Sequence, residues 1–227
     1  MRILADAIGA AQRDGRLRAE HFLHLRCEVS APGMARALDE FTDEPMVRIV
    51  SVMDHSPGQR QFQTMDQYTL YYKTKRGLSD AAFDRYVALR QSQSERYSRA
   101  HREQIAAFCR ARGVIMASHD DATLEHVAEA VEQGVRVAEF PTSFEAARAS
   151  HEAGMAVLMG APNIVRGGSH SGNIAASTLA EAGILDVLSS DYVPSSLLQA
   201  VFRLDQGSPS ANLPEAVAPV TGNTGTA

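Results

Sequence analysis

Several apolar segments of the chain end in side chains that are able to bind a divalent metal ion. These side chains are Glu28, Asp54 with His55, His119 with Asp120, and Asp191. Imidazole and carboxylate groups suit Zn²⁺, Mn²⁺ or a related ion. Such an ion makes water nucleophilic at neutral pH, and a neighbouring carboxylate can accept the proton. The pattern therefore predicts a hydrolytic metal site where these segments end.

Each of these side chains, taken alone, also has an ordinary structural explanation. A single His at a strand end more often caps or hydrogen-bonds than ligates. Asp54 could satisfy loop amides, and we favour Asp121 as the N-cap of the helix that follows it. Four such ends on one edge of a sheet are harder to explain in this way.

The elements that must position these side chains follow an alternating pattern. Apolar runs cover residues 21–29, 47–54, 113–118, 135–140, 155–161 and 184–190. The later runs are separated by helical segments that open near Ser, Thr, Asp or Asn and close on Gly, which are helix-cap signals. This βαβ rhythm predicts a parallel sheet, whose carboxyl edge is where active sites of such folds lie.

Side-chain alternation along a strand indicates which residues share a face. His24, Arg26 and Glu28 share one face of the first strand, and Asp191 follows Ser189 on one face of the last. Apart from the first strand, these faces are apolar or small at depth and polar at the tip. A barrel interior, packed below and reactive above, has this pattern.

Two regions depart from the alternation. Residues 56–113 are polar and helical after a loop-like start, which fits either a solvated helical hairpin or a lid over a substrate. Residues 213–221 start as a helix that Pro219 breaks or bends. We therefore expect a partial barrel over residues 1–205 and a C-terminal helix with a frayed tail over residues 206–227.

Two loops carry groups suited to phosphate. Residues 160–177 contain Gly167, Gly168 and Gly172, and a helix is expected to begin near Asn173, where free amides attract anions. The segment lacks the ending of a Walker loop, and a flexible turn is its more common meaning. Residues 54–62 offer further donors after a Pro-Gly turn.

Composition excludes some classes of partner. The 227 residues carry a net charge of -5, which gives no reason to expect nucleic acid or an anionic membrane as a partner. No apolar run reaches the length of a membrane span, roughly 18–20 residues. Two cysteines without a signal peptide favour a reducing, cytoplasmic setting.

Six segments together resemble a known family. They are HLRCEVS, VSVMDHSPGQRQF, ASHDDAT, AEFPTSFEAA, LMGAPNIVRGGSHSGN and LSSDYVPSSLL. They look like the metal-dependent diphosphatases of the bacterial carbon–phosphorus lyase pathway, within the amidohydrolase superfamily. The resemblance implies a distorted (β/α)₈ TIM-type barrel. It also implies hydrolysis of α-D-ribose 1-methylphosphonate 5-triphosphate to the 5-phosphate and pyrophosphate.

The resemblance also implies site residues. Glu28, His55, His119 and Asp191 would ligate the metal, Zn or Mn, and Asp191 would also act as the general base. Substrate-binding residues would be Arg26, Gln59, Arg60, Asn163, Arg166, Gly167, Gly168, Ser169 and His170.

One departure from the family concerns the first strand. Amidohydrolase barrels begin with a strand ending in His-x-His, and no such motif follows an apolar strand before residue 21. We therefore expect about strands 3–8 of the barrel, truncated at both termini and lacking the accessory β domain. Open sheet edges would favour pairing with another chain, including a homo-oligomer, and the chain alone is expected to be poorly active.

Two other functions remain open at this stage. One is the more usual amidohydrolase chemistry, C–N bond hydrolysis or deamination, which the phosphate-friendly loops disfavour. The other is a non-catalytic remnant that binds a protein of the same pathway.

Overall fold

A single parallel sheet organises the protein. The computed structural model describes residues 2–60, 68–69, 78–169, 172–207 and 213–221. Its six strands are neighbours in chain order and curl into a half-barrel, which confirms the α/β prediction and is compatible with a partial barrel. The strands are β1 (Leu23–Glu28), β2 (Val47–Met53), β3 (Ile115–His119), β4 (Val137–Glu139), β5 (Ala156–Gly160) and β6 (Val187–Ser189).

Helices connect and cover the strands, as expected of parallel βαβ units. Among the described residues they are α1 (Arg2–Arg13), α2 (Met34–Asp39), α3 (Asp80–Arg112), α4 (Leu124–Gln133), α5 (Phe144–Glu152), α6 (Ala161–Arg166), α7 (Ala176–Glu181), α8 (Ser196–Gly207) and α9 (Leu213–Val217). None of these described helices is long and apolar enough to cross a membrane.

The two faces of the sheet differ in chemistry. On β1, Leu25 and Cys27 are buried in the core with Ile105 of α3, while His24 and Arg26 lie on the opposite face. Arg26 pairs in register with Ser51 of β2, so the polar face continues across the sheet. The alternation predicted from the sequence is confirmed here, and it places the polar side chains away from the helical layer.

Local cap chemistry fixes where α4 begins and ends. The Thr123 hydroxyl accepts the amide of His126, and Gly134 ends the helix with φ 78°. A left-handed residue at that position suits glycine because it has no Cβ. The expectation that Asp121 caps this helix is therefore wrong, and the Asp121 carboxylate instead binds Arg60.

The polar segment after β2 contains one long helix rather than a hairpin over residues 80–112. This helix, α3, has 33 residues, and its carboxyl-terminal half buries His101, Ile105 and Phe108 against the sheet. Burying one helical stripe is what makes a mostly polar helix of this length stable. Residues 61–67 and 70–77 lie outside the described part, so the proposed lid function stays a prediction.

The glycine-rich segment is more regular than expected. Its first part is α6, with Pro162 in the first turn, where a missing amide hydrogen costs nothing. Helix α7 begins at Ala176, three residues later than expected, because the Asn163 side chain caps it by accepting the Ala176 amide at 2.9 Å. Residues 170–171 lie outside the described part.

The carboxyl-terminal residues confirm the predicted bend. Helix α9 gives way to a 3₁₀ turn at Ala218–Val220 that contains Pro219. Helix α8 crosses the expected boundary between residues 205 and 206, and residues 222–227 lie outside the described part. The proposed division at residue 205 therefore falls inside a helix.

Candidate metal centre

Three potential ligand atoms converge at the carboxyl edge of the sheet. The Oδ2 atom of Asp120 lies 3.7 Å from Nε2 of His55 and 3.5 Å from Nε2 of His119. All three atoms lie within 4.8 Å of one another. His119 and Asp120 are buried, and His55 is partly buried. Two imidazoles and one carboxylate at this spacing could hold one divalent ion.

The backbone after β3 explains how two adjacent residues reach the same point. Asp120 follows the last strand residue with φ 57°, the left-handed region that Asp tolerates better than most residues. Its amide donates to the carbonyl of Glu139 at 3.0 Å, which holds this conformation. The sharp turn brings the Asp120 carboxylate back toward the ring of His119. Such conformations cost free energy and tend to occur at functional sites.

Both histidines are oriented by a second carboxylate. The Nδ1 atom of His55 lies 2.6 Å from Oε2 of Glu28, and Nδ1 of His119 lies 2.7 Å from Oε2 of Glu139. Because each Nδ1–H donates to a carboxylate, each imidazole in its neutral form keeps the lone pair of Nε2 directed at the shared point. This carboxylate–histidine arrangement is typical of metal sites, where it fixes ring orientation and raises ligand basicity.

The two orienting carboxylates are themselves held in place. Glu28 accepts hydrogen bonds from the Ser30 hydroxyl at 2.8 Å and from the Arg90 guanidinium at 3.0 Å. The Ser51 hydroxyl donates to Glu139 at 2.8 Å and also contacts Nε2 of His24. The Ser51 contact therefore extends the network from β4 through β2 to β1.

Charge complementarity sets the protonation of both orienting carboxylates. Burial acts to raise the pKa of Glu28, but the hydrogen bond and positive charge of His55 outweigh it and bring the pKa to about 2. Burial likewise opposes ionisation of Glu139, and the contact with His119 brings its pKa to about 2. Both groups are anionic at neutral pH and favour protonated Nδ1 atoms on their partners.

The structure offers a direct test of whether a cation fits. Asp120 Oδ2 is buried and has no hydrogen-bond partner. Burial raises the pKa of Asp120, against the opposing influence of His119 and His55. An unpaired buried carboxylate oxygen is costly unless something positive meets it. A divalent ion between this oxygen and the two Nε2 atoms would meet it, so the residues fit the group.

A cavity of about 340 Å³ opens directly onto these atoms. Arg26, His55, His119 and Asp120 form one wall, which we call the histidine wall. A second group of lining residues, which we call the rim, comes from α6, the loop after it and the turn after β6. Its polar members are Asn163, Arg166, Ser169, Asn173, Asp191 and Tyr192.

Asp191 lies beside the end of β5 and lines the same cavity as the histidine wall. It follows β6 with φ 47°, again in the left-handed region. A Cβ placed on Gly160 would lie 3.4 Å from Asp191 Oδ2 and 3.6 Å from the Phe140 ring. These are ordinary van der Waals distances, and they place the Asp191 carboxylate beside the end of β5.

The rim also presents nitrogen donors suited to anions. The Arg166 guanidinium donates to the Tyr192 hydroxyl, and both side chains are exposed. Asn163 binds the Ile174 carbonyl and the Ala176 amide, which ties α6 to the start of α7. A guanidinium held at the mouth of a cavity is a common binding group for phosphate oxygens.

The structure brings together most of the residues selected from the sequence. Those lining the cavity are Arg26, His55, Asn163, His119, Arg166, Gly168, Ser169 and Asp191. Glu28 and Gly167 do not line the cavity. Glu28 contacts Nδ1 of His55, and Gly167 ends α6 with φ 82°. His170 lies outside the described residues.

Two predicted phosphate ligands lie away from the cavity. Gln59 is exposed and does not line it. The Arg60 side chain is 3% exposed and pairs with Asp121 and with Glu129, the latter at 2.5 Å. Burial and then the nearby charge of Arg102 lower the pKa of Arg60 to about 10. In this structure Arg60 joins the loop after β2 to the region of α4, and its role toward phosphate stays a prediction.

Asp54 has the structural role considered from the sequence. Its carboxylate accepts the Ser56 amide at 3.1 Å and the hydroxyls of Ser94 and Ser98 at 2.7 and 2.8 Å. These bonds join the end of β2 to α3. Asp54 does not line the cavity.

Sequence reasoning missed the role of Glu139 although the signal was present. The run 135–140 is apolar and reaches a carboxylate at its end, just as the other strands do. Glu139 pairs in register with His119 on β3, which brings their side chains side by side. Examining the last residues of every apolar run for metal-binding or carboxylate side chains would have found Glu139. The contact of His24 with Ser51 has no such signal in the sequence.

The fold and the site define an α/β protein with a candidate divalent metal centre at the carboxyl edge of a parallel sheet. The chain is 53% identical over 221 residues to an α-D-ribose 1-methylphosphonate 5-triphosphate diphosphatase of Escherichia coli (strain K12). The match covers 97% of this chain and 58% of that relative. The chain thus spans less than two thirds of the relative it matches. No family model matches the chain, and no solved structure matches it significantly.

Proposed function

We propose that the protein is a metal-dependent phosphoanhydride hydrolase. The observation that carries the proposal is the convergence of His55, His119 and Asp120, with the Asp120 Oδ2 atom left unpaired, at the wall of a cavity whose rim carries Arg166. A divalent ion in such a site supplies Lewis acidity and makes water nucleophilic at neutral pH. The donor set suits Zn²⁺ or Mn²⁺.

The side chains around the cavity divide the remaining work. The Asp191 carboxylate, which lines the same cavity, accepts a proton from the attacking water at one of its oxygens. The Arg166 guanidinium and the Ser169 hydroxyl bind phosphate oxygens and place the scissile anhydride in the cavity. Glu28 and Glu139 keep the two imidazoles oriented.

The named relative suggests the substrate. Its name specifies α-D-ribose 1-methylphosphonate 5-triphosphate and a diphosphatase reaction. We propose the same substrate here, with pyrophosphate and the 5-phosphate as products, in phosphonate catabolism. We further propose a cytoplasmic member of the amidohydrolase superfamily with a barrel of which this chain holds about strands 3–8. Glu28 and Asp191 remain proposed as additional ligands in that complete site.

Pyrophosphate release tests the proposal. Purified protein is incubated with the triphosphate after treatment with chelator and after addition of Zn²⁺ or Mn²⁺. The expected result is slow release, because the chain alone is expected to be poorly active, and only with metal; this release is lost in His119→Ala and retained in the control Arg48→Gln, whose side chain lies outside the cavity. Metal content measured on the same samples shows whether the ion binds.

Other outcomes would favour another function or limit the activity of this chain. Release of ammonia or ring opening from cyclic amides, without action on the triphosphate, would favour C–N hydrolysis. Folded protein that binds no metal and shows no loss of stability in His119→Ala would favour a non-catalytic remnant. Metal binding without turnover would support the centre but contradict activity of this chain alone. Light scattering on the same sample tests the proposed homo-oligomer.

A further inference from the structure

Arg26 makes a contact in the site that opposes cation binding. It lies on β1, on the polar face of the sheet, and its guanidinium donates to Nε2 of His119 at 3.1 Å. Its Nε atom contacts Sδ of Met53 at 3.3 Å, which directs the side chain along β2 toward the site. The guanidinium thus lies against the atom through which His119 would bind a metal.

One lone pair cannot serve two partners. The Nδ1–H of His119 donates to Glu139, so Nε2 is the only free acceptor on this ring. A metal ion at Nε2 must displace the Arg26 hydrogen bond, and the two cations repel each other if the guanidinium stays nearby. Both effects weaken metal binding.

The Arg26 guanidinium leaves part of the hydrogen-bonding capacity of the site unused. Asp120 Oδ2 lies 3.5 Å from the same Nε2 atom, yet it has no hydrogen-bond partner. Arg26 therefore meets one of the three convergent atoms, whereas a compact ion could meet all three. The side chain lines the cavity and is partly exposed, so it has open space into which it can turn.

We propose that Arg26 competes with the metal ion for Nε2 of His119, and that ion binding turns its guanidinium into the cavity toward the phosphate groups. The inference rests on the metal centre proposed above. In this arrangement the metal-free site keeps one positive charge beside Asp120, and the loaded site gains an anion-binding group. Arg26 is then a positioning residue for the metal as well as a substrate contact.

Zinc affinity measured by isothermal titration calorimetry tests the competition. Arg26→Met keeps the length of the side chain but removes both the charge and the donors, so we expect it to bind Zn²⁺ about tenfold more tightly than the original protein. Arg26→Lys keeps a cation and should stay within about threefold of the original. Arg48→Gln removes one positive charge outside the cavity and should leave the affinity unchanged. Circular dichroism checks that each variant is folded.

The results separate this inference from the metal centre itself. Equal or weaker zinc binding by Arg26→Met, with the original protein still binding zinc, would overturn the competition and leave the centre intact. A gain of the same size in Arg48→Gln would overturn it as well, because net charge alone would then explain the effect. Absence of zinc binding in the folded original protein would overturn the centre.

Discussion

The histidine wall and the rim of the cavity are built differently. On the histidine wall, His119 and Asp120 are buried, and both imidazoles are held by carboxylates that have further partners. On the rim, Arg166 and Tyr192 are exposed and are joined by a hydrogen bond to each other. Fixed geometry suits a metal ion, whose ligands must keep narrow distances. An adjustable, solvated rim suits a charged ligand that enters, turns and leaves.

The difference also affects stability. Orienting carboxylates, a buried guanidinium and a left-handed turn tie the histidine wall to four strands, so changes there should alter metal affinity or folding. The rim belongs to short helices and turns, so changes to its exposed Arg166–Tyr192 pair should alter substrate affinity alone. The following predictions test this contrast, beginning with the largest expected effect.

Replacing Asp120 should separate metal binding from folding. Asp120→Asn keeps the shape and tolerates the left-handed backbone, but removes the anionic ligand. We expect zinc affinity to fall roughly a hundredfold or more. The free energy of unfolding of the metal-free protein should stay unchanged or rise, because an unpaired buried charge is lost.

Calorimetry and urea unfolding measure the two quantities, with the surface variant Asp14→Asn as control. A large loss of metal-free stability in Asp120→Asn, with zinc affinity retained, would contradict the assignment.

Removing the buried guanidinium behind the histidine wall should cost folding free energy. In Arg60→Gln, Asp121, which is almost fully buried, loses its cationic partner, and Glu129 keeps only the 3.8 Å contact with Arg102. We expect a loss of about 3–5 kcal/mol in the free energy of unfolding. Arg99→Gln breaks a pair whose side chains are 93% and 67% exposed, and should cost less than about 1 kcal/mol.

Urea unfolding compares the two variants. Equal stability of both, together with a raised KM in Arg60→Gln, would support the phosphate role predicted for Arg60 from the sequence.

Acid should destabilise the metal-free protein through the orienting carboxylates. Glu28 and Glu139 have native pKa values of about 2, below the ordinary value of 4.5. Between about pH 5 and pH 2 the unfolded chain therefore binds more protons, and stability falls as the pH falls. Each group contributes on the order of 3 kcal/mol at neutral pH, as an upper estimate.

Urea unfolding in chelator, repeated from pH 7 to pH 3, measures this slope. Glu139→Gln should flatten it, whereas Glu132→Gln, at an exposed position of α4, should not. Parallel slopes in the original protein and Glu139→Gln would contradict the pKa assignment.

Changes to the Arg166–Tyr192 pair of the rim should be the mildest. Arg166→Gln should raise KM for the triphosphate about tenfold with kcat within a few-fold, because a charge-assisted contact to phosphate is lost. Tyr192→Phe removes only the hydroxyl that positions Arg166 and should raise KM a few-fold. Added salt should reduce the Arg166 effect, since the group is exposed. A fall in kcat with unchanged KM would place Arg166 in the chemical step instead.

Much of the architecture could be predicted from local signals. All six strands lie within or next to the apolar runs, and Thr123 and Ser143 cap the helices that open at these residues. The start of α7 was misplaced because its cap comes from Asn163, which lies 13 residues earlier. A cap supplied from a distance leaves no trace in a local pattern.

The sequence by itself determined that polar, metal-binding side chains would gather at one edge of a parallel sheet, because strand ends are fixed by periodicity and caps. Only the tertiary structure decided which of them would face one another. His55 meets Glu28 across 27 residues, and His119 meets Glu139 across 20. Strand register and three left-handed turns, at Asp120, Phe140 and Asp191, aim these side chains. Those features depend on packing between segments far apart in the chain, so no window of sequence contains them.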